Sequence, residues 1–187
     1  MWLCFEDEAG QTLRSPGGRT WGRKGHTPVV SLPVKGTGRV SVAGLIATRP
    51  GRLPRLIYRM RQHRGRKGER RGFVEADYAA LFDAAHQQLS GPLVVVWDNL
   101  NTHTSAQMRQ LIASRPRLTV FYLPAYAPEL NPVEGVWAHM KKSLANLAIR
   151  TVDQLIVVVK NRLNRMQYRP ALITGFTAKT GLDVHPP

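Results

Sequence analysis

The spacing of apolar residues changes rhythm partway along the chain. Up to Tyr58 they come in short runs. Trp2–Asp7 is a brief apolar run ending in acids, Pro28–Val34 and Arg39–Ala47 are Val-rich and separated by Lys35-Gly36-Thr37-Gly38, and Leu53–Tyr58 is one more short run. Runs of this length bounded by turn residues read as strands, with the Gly-containing break as a hairpin-like turn. Downstream the period lengthens. Tyr78, Leu81, Phe82, Ala85 and Leu89 share one face of a helix that Gly91-Pro92 ends. Leu93–Trp97 is continuously apolar and reads as a buried strand. Met108, Leu111 and Ile112 mark a short helix, and Leu118–Leu123 another strand.

Two further helices follow. The first opens on Asn131 as N-cap with Pro132 at the first helical position, and buries Val133, Val136, Trp137, Met140, Leu144 and Leu147. The second opens on Thr151 and Gln154 as a capping box and runs through Leu155, Ile156, Val159, Leu163 and Met166. The order is β-β-β, a further short strand, then α-β-α-β-α-α. An extended first half followed by alternating helices and strands predicts an α/β fold, a mixed sheet with helices on both faces.

The chain has 187 residues, enough for one domain or one domain with a small appendage. With 43% hydrophobic and 21% charged residues it has the composition of a globular protein, which excludes wholesale disorder. No apolar run reaches the ~18 residues of a membrane span, and acids stand near the N-terminus where a signal peptide would be apolar. The single cysteine, Cys4, excludes a disulfide framework and a cysteine zinc site. The expectation is a soluble, intracellular chain.

Charge changes the picture most. The formal net charge is +15, which calls for a polyanionic partner, nucleic acid before membrane. It is also uneven: Arg49–Gly72 holds ten basic residues against one acid, Glu69. After the Leu53–Tyr58 strand this segment reads as a mobile basic loop tracking DNA phosphates through Arg61, Arg64, Arg66, Lys67, Arg70 and Arg71; a solvated charged loop is the plainer alternative.

Against that background three acids stand out. Asp7 ends the first strand, on the same parity as Leu3 and Phe5; Asp98 ends the Leu93–Trp97 strand; Glu134 lies in the first turn of the helix after Leu118–Leu123. Ligands of open α/β sheets gather outside the carboxyl ends of strands, so neighbouring first and Leu93–Trp97 strands would bring Asp7 and Asp98 together, with Glu134 reaching in. Three carboxylates in one cleft repel unless a cation neutralises them, and an all-oxygen set favours Mg²⁺ or Mn²⁺. Two such ions clamp the attacking and leaving oxygens of a phosphoryl displacement. Each acid alone has another use. Asp98-Asn99 suits a turn, Glu134 suits a helix cap, and composition does not say which of Glu6, Asp7 and Glu8 points inward.

Asp7-Glu8-Ala9-Gly10 and Arg19-Thr20-Trp21-Gly22-Arg23-Lys24-Gly25-His26-Thr27-Pro28 resemble the start of the catalytic domain of mariner-type DDE transposases of bacterial insertion sequences. Val96-Trp97-Asp98-Asn99-Leu100-Asn101-Thr102-His103 is similar to their second-acid motif, and Tyr122 through Trp137, with Pro-Glu-Leu-Asn-Pro-Val-Glu-Gly-Val-Trp at its end, to their third. The resemblance runs from about residue 2 to about residue 166. It implies an RNase H-like five-stranded mixed sheet over residues 1–170, a C-terminal tail over 171–187, and Asp7, Asp98 and Glu134 as catalytic metal ligands for two ions. The activity implied is DNA cleavage and strand transfer at transposon ends. Asn99, His103 and Asn131 would support the site, Lys141 and Lys142 would contact DNA, and Trp21 and Trp137 would pack.

The partners implied are transposon-end and target DNA and a second copy of the chain, at the bacterial nucleoid. Transposases of this kind place helix-turn-helix modules before the catalytic domain; Met1 stands only a few residues before the first acid, which fits the second reading frame of a frameshifted element, a misplaced start or a decayed copy. A separate helix-turn-helix chain is one candidate source of terminus recognition. Two rival readings keep the same residues: a stand-alone RNase H-like nuclease, and a decayed DNA-binding remnant.

Overall fold

The structure, a computed structural model, describes residues 1–19, 21–27, 29 and 38–182. Five strands form one sheet: β1 (Trp2–Thr12), β2 (Arg39–Arg49), β3 (Arg52–His63), β4 (Leu93–Trp97) and β5 (Leu118–Tyr122). Their order is β3-β2-β1-β4-β5. The β1–β2 and β2–β3 pairs are antiparallel, and the β1–β4 and β4–β5 pairs parallel. The helices are α1 (Glu75–Leu89), α2 (Ala106–Ala113), α3 (Val133–Leu144), α4 (Val152–Gln167) and α5 (Pro170–Ala178).

The central strands alternate between two cores. Phe5, Val42 and Ile46 lie in one core with α3, α4 and α5, through Val133, Leu155 and Ile173. Cys4, Leu45 and Ile57 lie in the other with Tyr78, Leu81 and Phe82 of α1 and Met108 of α2. Helices thus cover both faces, which is why β2 has to be apolar at both parities. Among the described residues no helix is long and apolar enough to cross a membrane.

Several boundaries differ from the sequence reading, each for a local reason. β1 runs past Asp7 to Thr12 because it pairs with β2 over that whole length, Asp7 opposite Gly44 and Thr12 opposite Arg39. β3 runs past Tyr58 to His63, paired to Arg39, so Arg59 and Arg61 are strand residues rather than part of a loop. Pro28–Val34 and its following turn lie outside the described residues, apart from Val29 and Gly38. Asn131 ends a 3₁₀ turn, Pro128–Leu130, and Pro132 takes the cap position of α3. The Asn131 side chain still accepts a hydrogen bond from Val133 N–H, so it caps from one residue earlier than expected. α3 stops at Leu144, leaving Leu147 beyond it. Thr151 caps α4 as expected, but the Gln154 side chain accepts from Arg150 N–H rather than closing the box on Thr151.

The C-terminal segment expected as a tail from residue 171 contains α5, with Ile173 and Phe176 buried against α3 and α4. Its Ile173 and Phe176 are only two anchor positions, too few to show a helical period in sequence.

α3 packs on the sheet over Gly44. A Cβ on Gly44 would stand 2.7 Å from the Trp137 ring and 3.3 Å from Val133, and one on Gly135 would stand 2.7 Å from Phe176. Gly44→Ala should therefore destabilise by ~1 to 3 kcal/mol through overpacking. Gly175→Ala, which meets nothing within 4 Å on α5, should gain about 0.5 to 1 kcal/mol. Thermal melts check both; at ~2 to 4 °C per kcal/mol the two shifts should have opposite signs.

Candidate active site

Three consecutive acids on β1 are split by strand alternation. Asp7 takes the parity of Leu3 and Phe5 and meets α3, where Trp137 Nε1 donates to Asp7 Oδ2 at 2.8 Å. Glu6 and Glu8 take the opposite parity. Glu6 is wholly buried with neither carboxylate oxygen hydrogen-bonded. His103 Nε2 stands 3.7 Å from its Oε2, too long for a hydrogen bond.

β4 runs parallel to β1 in the register Phe5 to Val96, so Asp98 leaves the sheet beside Asp7. His103 holds its side chain, with Nδ1 2.8 Å from Asp98 Oδ1, and the Leu100 N–H donates to the same oxygen at 3.1 Å. Among the described residues Oδ2 receives no hydrogen bond. His103 is itself fixed: its ring stacks on Trp97 at 4.0 Å, nearly parallel, and meets Tyr78 edge-on at 4.8 Å. Only 1% of it is exposed, so it positions Asp98 and cannot reach a phosphate.

Asn131 ties the third element in. Its Nδ2 donates to Glu6 O at 2.9 Å while its Oδ1 accepts from Val133 N–H, so the start of α3 is pinned to the backbone beside Asp7. Glu134, in the first turn of α3, is exposed. Asn99 Nδ2 donates to Leu123 O and joins the β4 and β5 ends. Asp7, Asp98 and Glu134 together line one cleft of about 400 Å³, with Asn99, Asn131 and the segment after β5 as walls.

The electrostatics of the cleft follow from crowding. Burial, and then the charges of Glu134 and Asp98, push the Asp7 carboxyl up to about 6 against the opposing hydrogen bonds from Glu8 N–H and Trp137. Burial raises Glu8 to about 7, partly opposed by His103. Glu6 is driven well above the carboxylate range by burial and by Glu8, Asp7 and Asp98. For Asp98 burial acts upward, but the hydrogen bonds from His103 and Leu100 outweigh it and the net shift is downward.

Among the described residues no three His, Cys, Asp or Glu side chains stand close enough to enclose an ion as they are. The donor set nevertheless fits a hard divalent cation: all oxygen, mutually repelling, with a free oxygen on Asp98 and an exposed Glu134. Asp7, Asp98 and Glu134 would hold it.

The other expected site residues are dispersed. Lys141 and Lys142 are exposed further along α3. Arg61 pairs with Asp77 at 3.1 Å and Arg64 with Asp153 at 2.9 Å. The loop holding Arg66, Lys67, Arg70 and Arg71 is closed by Glu69, which accepts from the N–H groups of Arg64 and Arg66, so it is a folded turn rather than a free arm. Trp21, expected to pack, is 99% exposed, whereas Trp137 packs and also holds Asp7. The sequence reading missed Glu6, whose only signal was sharing parity with Trp2 and Cys4.

A mixed five-stranded sheet in this order, with Asp7 inside β1, Asp98 just past β4 and Glu134 on α3 around one cleft, defines an RNase H-like fold. The chain belongs to the DDE superfamily endonucleases, whose family model matches residues 2–156. Among solved structures it is similar to the Mos1 strand transfer complex, at TM-score 0.68 and 15% identity over 95% of this chain and 51% of that one. It is also similar to the mariner Mos1 paired-end complex with Mg, at 0.69 and 14% over 96% and 53%. The catalytic domain of Mos1 mariner transposase matches at 0.53 and 14% over 97% and 83%. The chain thus spans about half the length of the Mos1 chains in the first two. A search of curated protein sequences returned no match.

The raised Asp7 carboxyl makes apo stability depend on pH. Between its ordinary 3.8 and about 6 the folded state keeps a proton that the unfolded chain has lost, so the stability this group contributes is fully present below pH 4 and is lost as pH rises through 6. The full penalty is roughly 2 to 4 kcal/mol. Asp7→Asn, which keeps the acceptor for Trp137 but cannot ionise, should be more stable than wild type at pH 8 in EDTA and no more stable at pH 4. Denaturant melts at the two pH values check it.

Proposed function

We propose that the chain is the catalytic domain of a DDE transposase, which cleaves DNA and joins the freed 3′-hydroxyl to a target strand. The observation that carries this is the meeting of Asp7, Asp98 and Glu134, from three separate elements, in one cleft of a chain with net charge +15. Support also comes from the likeness to Mos1 structures described as a strand transfer complex and as a paired-end complex with Mg.

Asp7, Asp98 and Glu134 are the proposed ligands for two Mg²⁺ or Mn²⁺ ions, with Asn99, His103 and Asn131 in support. When bound, such a pair supplies an activated attacking oxygen and a stabilised leaving oxygen. The chain's own part is to hold the three carboxylates in place. Trp137 fixes Asp7 from the α3 side, His103 fixes Asp98, and Asn131 fixes the start of the helix bearing Glu134. Basic residues without a salt bridge among the described residues, Arg66, Lys67, Arg70, Arg71, Lys141 and Lys142, are the proposed contacts to DNA phosphates. Arg61 and Arg64 are the weaker candidates because Asp77 and Asp153 already engage them. The proposed partners are transposon-end and target DNA, a second copy of the chain, and a helix-turn-helix module for the terminal repeats, at the bacterial nucleoid.

Mn²⁺-dependent nicking of supercoiled plasmid tests the assignment. Asp98→Asn should lower nicking by at least about 100-fold, the scale of losing one charge that stabilises the reacting centre, while DNA binding persists. Glu8→Gln, on the other face of the sheet, should lower it far less. Greater loss in Glu8→Gln than in Asp7→Asn would reverse the assigned faces of β1. Strand-transfer products separate a transposase from a stand-alone nuclease, and metal-independent binding without nicking would leave a DNA-binding remnant.

A further inference from the structure

Three of the ten basic residues in Arg49–Gly72 lie away from the cleft. β2 and β3 turn at Arg49–Arg52 through Gly51, whose φ of 71° favours glycine. That turn lies beyond Thr48, which pairs with Leu3 at the start of β1, whereas the cleft lies past Phe5 at the other end. Arg49, Arg52 and Arg55 are exposed there and line a groove of about 530 Å³ with Trp2, Gln88 and Ser90.

Three features set this groove apart from an ordinary charged surface. Among the described residues none of the three guanidinium groups has a carboxylate partner, although Arg59 and Arg61 on the same strand share Asp77. No acid lines the groove. Its far wall is the C-terminal end of α1, whose carbonyl dipole amounts to only about half a negative charge, well below the three positive ones. Arginines on an edge strand also discourage strand-to-strand pairing, and Arg52 and Arg55 sit on the edge strand β3. Arg49, however, belongs to the interior strand β2, where no edge needs guarding.

We propose that this groove is a second DNA-backbone surface, built by Arg49, Arg52 and Arg55, that holds a second duplex while the first occupies the cleft. The inference rests on DNA being the substrate of the cleft. The two openings are at opposite ends of the same strands, and a duplex is stiff over ~150 base pairs, so one straight duplex cannot serve both. DNA bound in the groove stays clear of the cleft, so both surfaces can be filled at once. Guanidinium groups are suited to that task because they take phosphate oxygens in a two-pronged, sequence-independent way.

The test is duplex bridging in EDTA, where no cutting occurs. A short biotinylated duplex is immobilised, protein is added, and capture of a second, fluorescent duplex is read against salt concentration. Arg49→Gln/Arg52→Gln/Arg55→Gln should bind the first duplex and nick plasmid in Mn²⁺ at saturating DNA as wild type does, while capture of the second duplex falls at least about tenfold and its log–log salt slope flattens by roughly 2.7, at 0.9 per phosphate released. Bridging and slope unchanged in this variant overturn the proposal, and so does a variant that self-associates in light scattering while still bridging, since the arginines would then only guard the edge. Wild type that bridges but never nicks counts against the catalytic reading and leaves this surface standing.

Discussion

Glu6, Asp7 and Glu8 are consecutive on a central strand, and a strand sends consecutive side chains to opposite faces. That alternation is the constraint from which the site follows. Asp7 goes to the α3 face and meets Trp137 and Glu134. Glu6 goes to the α1–α2 face, where the core leaves it fully buried without a hydrogen bond. A buried carboxyl of this kind is costly when charged and far cheaper when protonated, as its upward shift states. Native folds keep such groups where the surrounding structure over-determines them. Here His103 stands 3.7 Å away, held by Trp97 and Tyr78 in the same ring stack that orients Asp98. The two faces of β1 therefore serve one cleft: one supplies a carboxylate, and the other positions its neighbour.

The helix layer is coupled to the chemistry just as tightly. α3 approaches the sheet closely only because Gly44 has no side chain, and that approach puts Trp137 Nε1 on Asp7. Phe176 of α5 then packs over Gly135, the residue after Glu134. Two glycines thus set the distance between the third acid and the first. Displacing either helix by even an ångström would alter the cleft before it altered the fold.

Much of this was legible in the sequence because it rests on strong local signals. β4 was bounded to the residue by its continuous apolar run, and Tyr78, Leu81, Phe82, Ala85 and Leu89 are all buried on α1 as their period required. The parity of Asp7 with Leu3 and Phe5 correctly gave its face. What was hidden depends on partners distant in the chain. β3 extends to His63 because β2 is there to pair with it, which no local pattern in an Arg-rich stretch reveals. The pairing of Arg61 with Asp77 and of Arg64 with Asp153 is likewise non-local, so a charge count overstated how much of that segment is free for DNA. The stacking of His103 on Trp97 is hidden as well, because nothing in the sequence marks a stacking partner, although Trp97 is only six positions away. α5 escaped because its buried anchors are few.

Whether Asp7, Asp98 and Glu134 share a divalent cation, as proposed, is read directly by anomalous scattering from crystals grown with Mn²⁺. Manganese peaks are expected between those three carboxylates, with Asp98 Oδ2 among the ligands and His103 still on Oδ1. Manganese found only on the Glu6 and Glu8 side of β1, or a cleft without manganese at millimolar concentration, would contradict it.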